Sequence, residues 1–339
     1  MTRIRLTRRT CFVLAVAALA QPAFAANKIK VGLLRFVSSG GMFLAQEREY
    51  FKAEGLDVEL LFFEAAQPIA VAVASGDIDF GVTAITGGTL NLAGKGAIKM
   101  VAAQGAERKG FKGNALMVSN AAFARGITSL DKLPGTSIAI TQVGSSHHYM
   151  MGQIAAAQKF DLDKVDLKPL QGIPNMVAAV KSGQVDGALM PPQFARPMVE
   201  RGEAKLLAYF SDVANYQYGA VFVSPQLVAA NAPLVQRFVR AYQKGNADYA
   251  QAFLRFDAAG AGIADAETTA AAASVAKYVY PGDTAAKATP NIIASAVFVD
   301  ASAKLDVADI DRQIDWYKKE KLVDAKVMSS AFVDTSFAR

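Results

Sequence analysis

The sequence predicts an α/β protein built as two Rossmann-like lobes, with a ligand cleft between them and extra C-terminal helices. Three observations carry this. Residues 30–83 realign without gaps on residues 137–190 at a constant spacing of 107, which pairs Ser38-Ser39 with Ser145-Ser146 and Asp79 with Asp186. Both copies alternate strand-like apolar runs with helix-like periodic stretches, the pattern of layered α/β sheets. The length of 339 residues exceeds one ordinary core and suits two.

Ahead of the first copy, Arg3, Arg5, Arg8 and Arg9 precede an apolar run from Cys11 to Ala20, and Ala23-Phe24-Ala25 is a small-x-small cleavage signal. Residues 1–25 therefore read as a signal peptide cut after Ala25, which places the mature protein in the periplasm. Arg8-Arg9 hint at twin-arginine export, but Phe12 falls one place late for that pattern. Removing the four arginines lowers the formal charge from +6 to +2, too little to point to nucleic acid. Cys11, the only cysteine, lies inside this segment without a lipobox before it. No disulfide, thiol chemistry or lipid anchor is expected. No later apolar run approaches the ~20 residues needed to span a bilayer. A monomer is expected.

The elements follow in order. Residues 28–34 read as a first, largely buried strand. After the Ser38-Ser39-Gly40-Gly41 loop, Phe43, Leu44, Tyr50 and Phe51 share one face of a helix over 42–54, with Gly55 as its C-cap. A second strand runs from Asp57, and a helix with Pro68 near its start stops at Ser75-Gly76. Strands from Ile78 and Ile98 follow. The apolar run 114–119 and the turn-rich stretch 126–135 read as the first crossing between lobes, and the strand from Tyr218 as the second. This gives lobe 1 as 26–117 and 221–339, and lobe 2 as 118–220. Beyond Ala230 the pattern is helical. Asn231-Ala232-Pro233 opens one helix, Asp265 caps another, and the last starts at Asp309 and carries the only tryptophan. These helices are expected on the outside of the lobes. The repeated Ser-Gly-x-x-Asp turns read as structural, the glycine ending a helix and the aspartate holding the turn.

The runs KIKVGLL, MFLAQEREYFKAEGLDVELLFF, AVASGDIDFGVT, IKMVAA and GITSLDKLPGTSIAI resemble the periplasmic substrate-binding proteins of ABC importers, in the nitrate, sulfonate, taurine and thiamine-precursor (NMT1-like) branch. The resemblance covers about residues 28–225. Its most specific parts are Phe51-x-x-Glu54-Gly55-Leu56-x-Val58 and Ser75-Gly76-x-x-Asp79. It implies the type II periplasmic binding protein fold, a small-molecule ligand held in the cleft, and delivery to a membrane permease driven by an ATPase. Enzymes of this branch in the thiamine pathway carry a cysteine-rich iron motif, which the mature chain lacks.

In open α/β sheets, ligands lie beyond the carboxyl ends of the strands, where loops lead into helix N-termini. That rule selects residues 35–42, 64–67, 83–88, 142–149, 171–175 and 190–194, and with them Thr83 and Gln142. Ser38, Ser39, Ser145 and Ser146 stand at equivalent helix starts, where free N–H groups and the helix dipole attract anions. A plain N-cap role is the competing reading. Arg35 directly follows the first strand and offers a bidentate fork to a carboxylate or sulfonate, with Arg196 as the competing candidate. His147 and His148 are the only histidines. They are adjacent and lack an acid or cysteine cluster, so a ligand hydrogen bond from His147 is expected and a metal is not. Pro191, Phe194 and Tyr218, with Phe36, Met42, Met190, Pro192 and Tyr216, supply an apolar, aromatic wall suited to an organic ligand.

No G-x-S-x-G elbow, P-loop or dinucleotide fingerprint is present, so neither a catalytic site nor a cofactor is expected. The expected ligand is a small organic anion, an aromatic carboxylate or a sulfonate. The alternatives are a thiamine precursor or related pyrimidine and, in another class, an exported enzyme of this fold.

Overall fold

The computed structural model describes residues 27–258 and 262–339; the expected signal peptide lies outside the described residues. The first sheet is fed by β1 (Asn27–Leu33), α1 (Gly40–Glu47), α2 (Tyr50–Ala53), β2 (Leu56–Phe62), α3 (Ala66–Ser75), β3 (Phe80–Ala84), α4 (Gly87–Gly94) and β4 (Lys99–Ala103). After the short β5 (Ala106–Glu107), the chain enters β6 (Ala115–Ser119), α5 (Asn120–Ala124), β7 (Ser137–Ile140), α6 (Ser146–Gln158), β8 (Asp166–Pro169), α7 (Ile173–Ser182), β9 (Gly187–Met190), α8 (Pro192–Glu200) and β10 (Ala204–Tyr209). It returns through β11 (Tyr216–Gln217) and β12 (Gly219–Val223) to α9 (Pro225–Phe253), α10 (Ala266–Val279), α11 (Ala285–Ala294) and α12 (Val307–Lys319). The two main sheets run β2-β1-β3-β12-β4 and β10-β6-β9-β7-β8.

The internal repeat is reproduced element by element. Helices α3 and α7 begin and end at the same spacing of 107, and both close on a left-handed glycine, Gly76 (φ 82°) and Gly183 (φ 73°). Asp79 Oδ2 accepts the backbone N–H of Lys30 at 2.8 Å, and Asp186 Oδ2 accepts that of Ser137 at 2.8 Å. Asp79 thus ties the middle of β1, and Asp186 the start of β7. Asp79→Ala and Asp186→Ala should each lower the unfolding free energy by about 1 kcal/mol in urea titrations.

The crossings differ from the expectation. Residues 115–119 are strand β6, wholly buried between β9 and β10, so that apolar run belongs to a central strand rather than a connector. Sheet membership changes before Ala115 and again before Gly219, while the expected divisions after 117 and 220 fall inside β6 and β12. Between the sheets, β5 and β11 pair as a two-residue antiparallel ribbon, Glu107 opposite Tyr216 and Ala106 opposite Gln217.

The helix expected over 42–54 breaks at Glu49, which is left-handed (φ 56°). Its neighbours are tied to Asp248 of α9, Arg48 by an ion pair at 3.0 Å and the Tyr50 hydroxyl by a hydrogen bond at 2.6 Å. Helix α9 is kinked at Asn231, whose side chain accepts Leu234 N–H at 3.1 Å and so starts the helix where the sequence places it. Asp265 caps α10 as expected, accepting Thr268 N–H at 2.9 Å. Helices α1 and α9 cross closely enough that a Cβ on Gly245 would lie 2.1 Å from the Gly41 carbonyl oxygen. Backbone cannot yield as a flexible side chain does. Gly245→Val should therefore cost roughly 1–3 kcal/mol, read as a lower thermal midpoint.

Helix α12 packs across both halves, with Asp311, Arg312, Asp315 and Lys319 on its exposed face. Its Ile310, Ile314 and Tyr317 join a core that also holds Leu90, Met100 and Phe222 from the first half and Leu116, Ile138 and Tyr149 from the second. Asp309 Oδ2 accepts the Gln217 N–H of the ribbon at 2.8 Å, and the Tyr317 hydroxyl donates to the Ser145 carbonyl at 3.0 Å. One helix therefore grips the ribbon and the second sheet's helix α6 together. Among the described residues, no helix is long and apolar enough to cross a membrane.

Candidate functional site

Strand order brings the loops after β1, β2 and β3 to face those after β7, β8 and β9. All six loops chosen by the strand-end rule reach one cavity, which encloses about 730 Å³ of unfilled space counting its open mouth. Thr83 ends β3 on one wall, His147 opens α6 on the other, and Tyr218 follows the ribbon between them. Ser38, Ser146 and Pro191 also line the cavity.

Among the described residues, Thr83 Oγ1, His147 Nδ1 and the Tyr218 hydroxyl are buried and have no hydrogen-bond partner. A buried polar atom without a partner costs about 1–3 kcal/mol, so folds rarely tolerate one without a use for it. Here the three residues that carry such atoms all line one cavity. Burial lowers the His147 pKa to about 4, so the imidazole is neutral at physiological pH. Burial likewise pushes the Tyr218 hydroxyl far up. Ser38 is near enough to ease that rise, but the pair falls short of hydrogen-bond geometry.

The other expected contacts are engaged elsewhere. Arg35 Nη1 donates to the Tyr278 carbonyl at 2.9 Å, and its guanidinium stacks 3.6 Å from the Phe62 ring centre, so the expected charge partner for an anion faces α10. Ser145 is an N-cap, accepting the His148 N–H at 3.3 Å, which is its plainer role. Ser39 is buried and accepts from Gln104 Nε2 at 3.4 Å. The Gln142 carbonyl accepts the Ser145 N–H at 3.1 Å within the loop, and the Gln142 side chain is not in the cavity wall. Phe194 packs edge-to-face on Phe36, with ring centres 5.7 Å apart, and stands behind the wall that Phe36 forms. Arg196 pairs with Glu200 at 2.6 Å. His148 Nδ1 accepts the Gly144 N–H at 3.1 Å and its ring meets Trp316, a structural role.

Glu64 and Gln193 fall in two of the loops chosen from the sequence, whereas the polar wall residues Gln104, Asn114 and Thr141 lie outside all six. Gln193 bridges the two sheets' loops, accepting from Val37 N–H and donating to the Arg35 carbonyl, both at 3.4 Å. Glu64 is the one charged residue in the wall, and no lysine or arginine lines it. Among the described residues, no group of three or more His, Cys, Asp or Glu side chains is placed to hold a metal.

Solved structures that superpose on this chain include periplasmic binding proteins. The alkanesulfonate-binding protein SsuA from Xanthomonas axonopodis pv. citri, bound to MOPS, superposes with a TM-score of 0.71 at 18% identity, over 94% of this chain and 100% of that one. The periplasmic aliphatic sulphonate binding protein SsuA from Escherichia coli gives 0.69 at 16% identity, over 91% and 92%. The desulfurization enzyme DSZB shares the fold at 0.62 and 14% identity, over 92% and 97%. At such identities the likeness is one of fold. No match was found among curated protein sequences. The sequence model described as NMT1/THI5 like matches residues 37–252, more than half of the chain. The chain therefore belongs to the NMT1/THI5-like family.

Proposed function

We propose that this protein is the periplasmic solute-binding component of an ABC importer. It captures a small organic solute in the cavity between the two sheets and hands it to a membrane permease driven by an ATPase. The observation that carries this reading is the set of three unpartnered buried atoms, Thr83 Oγ1, His147 Nδ1 and Tyr218 OH, on both walls and at the ribbon between them. A solute that bonds to all three ties the sheets together and favours the closed arrangement over an open one.

The wall chemistry favours a solute with a flat apolar body and no net negative charge. Phe36, Tyr218, Pro191 and Met150 supply apolar surface, while the one charge is the acid Glu64. This moves the pyrimidine-like alternative ahead of the organic anion, whose expected arginine is occupied. The anion reading keeps one support: Ser146 opens the 13-residue helix α6 at the cavity, and a helix N-terminus binds anions without a cation. Sulfonate binding in the two SsuA relatives points the same way. For an enzyme, a Ser-His pair would need an orienting carboxylate on the imidazole, but His147 Nδ1 has no partner.

The test is a thermal-shift panel on residues 26–339, holding pyrimidines, aromatic carboxylates, alkyl and aryl sulfonates, taurine and nitrate. A solute at ~100 times its dissociation constant stabilises by about 2.7 kcal/mol. A shift with uncharged heterocycles supports the first reading, and a shift confined to sulfonates or carboxylates supports the second. Arg35→Ala should change affinity less than threefold under either. Product accumulating in a mass spectrum would instead establish an enzyme.

A further inference from the structure

One buried acid stands beside the cavity without lining it. Glu107 lies on the ribbon strand β5 and is 1% exposed. Its Oε1 accepts two hydrogen bonds from Asn114, from the backbone N–H at 3.0 Å and from side-chain Nδ2 at 2.7 Å. Its Oε2 has no partner and lies against Gly113, where a Cβ would come within 1.6 Å of it. Asn114 itself lines the cavity and is 9% exposed.

Oε1 already accepts the Asn114 backbone N–H, so it stays an acceptor even when Oε2 carries the proton, and it dictates which end of the amide faces it. With Nδ2 held by Glu107, the end of the Asn114 amide left for the cavity is the carbonyl oxygen Oδ1. We propose that Asn114 is a specificity-determining residue that selects solutes presenting an N–H or O–H donor, and that Glu107 is the positioning residue that fixes its amide in that sense. The proposal rests on the cleft being the solute site and adds the polarity that the site demands. A solute with only acceptors at this point would set oxygen against oxygen and leave Asn114 Oδ1 unpaired on closure, a loss that sites built around a hydrogen bond turn into strong rejection. Gly113 is part of the device, because any side chain there would drive the carboxylate off its seat.

The experiment has two arms. The first needs no solute: in the 15N-labelled full chain, the Asn114 side-chain amide protons should exchange slowly with water. They should exchange fast in Glu107→Ala and in Gly113→Ala, and slowly again in Glu107→Gln, whose Oε1 still accepts. Fast exchange in the wild type, or slow exchange in Glu107→Ala, would overturn the positioning role whatever the cleft binds. The second arm titrates benzamide against methyl benzoate, two uncharged probes alike in ring and carbonyl of which only the first has a donor. Wild type and Glu107→Gln should bind benzamide at least tenfold tighter, and Glu107→Ala should lose that preference while still binding. Equal affinity for both probes, or no binding of either, would overturn the donor selection. A cleft that binds no solute in the thermal-shift panel while the Asn114 signature persists would sink the solute-site reading and leave the positioning intact.

Discussion

A Thr83→Val, His147→Phe double variant is expected to bind the cleft's solute about 100-fold more weakly than the wild type. Without solute, it should nevertheless unfold at a higher urea concentration. Both directions follow from one fact. Thr83 Oγ1 and His147 Nδ1 are buried and unpartnered among the described residues, so each already costs about 1–3 kcal/mol. Valine and phenylalanine keep the shapes nearly unchanged and remove that cost. The bound state loses two hydrogen bonds and leaves polar atoms of the solute facing apolar carbon. Together that amounts to roughly 3 kcal/mol, or about a factor of 100. Titration calorimetry gives the affinity and urea unfolding the stability. A variant that loses both affinity and stability would mean that these atoms are structural, and one that keeps affinity within threefold would remove them from the site.

The second large effect is a pair of opposed pH dependences hidden in the wild type. Unfolded, His147 takes up its proton near 6.5, whereas burial delays this to about 4 in the fold. Between those values the unfolded chain holds more protons, so stability falls as pH drops from 6.5 to 4. Glu107 runs the other way. Its unfolded carboxyl releases its proton near 4.5, but burial holds it to about 7. The fold then holds more protons, and stability falls as pH rises from 4.5 to 7. Each displacement is worth roughly 3 kcal/mol, and from 4.5 to 6.5 the two slopes offset each other. Glu107→Gln should therefore make stability climb with pH across that window relative to wild type, and His147→Phe should make it decline. Urea unfolding of the three proteins at pH 4.5, 5.5 and 6.5 reads the divergence directly. Three parallel profiles would show that neither group titrates away from its ordinary value.

The repeat was the legible part of the sequence because it encodes local chemistry. A left-handed glycine and an aspartate three residues later are needed wherever this helix turns back into a strand, so Gly76, Asp79, Gly183 and Asp186 declare themselves. Six loops of the cavity were legible for the same reason, since strand ends are visible in apolar runs. Side-chain direction was not. Arg35 looks poised for a ligand until Tyr278, 243 residues away, claims it. Ser39 and Ser145 carry the right chemistry but spend it on Gln104 and the start of α6. The crossing was misplaced because β5 and β11 are two residues each, too short for any periodicity. Gln104 and Asn114 flank that crossing, so their place in the wall could not be inferred without it.

Helix α12 sets an order in time. The ribbon is complete by residue 217, but the Asp309 and Tyr317 contacts that seat it lie about a hundred residues further along the chain. A chain emerging N-terminus first can assemble both sheets while their mutual angle is still unset. The joint between the sheets is therefore the last part of the fold to be fixed when the chain emerges N-terminus first.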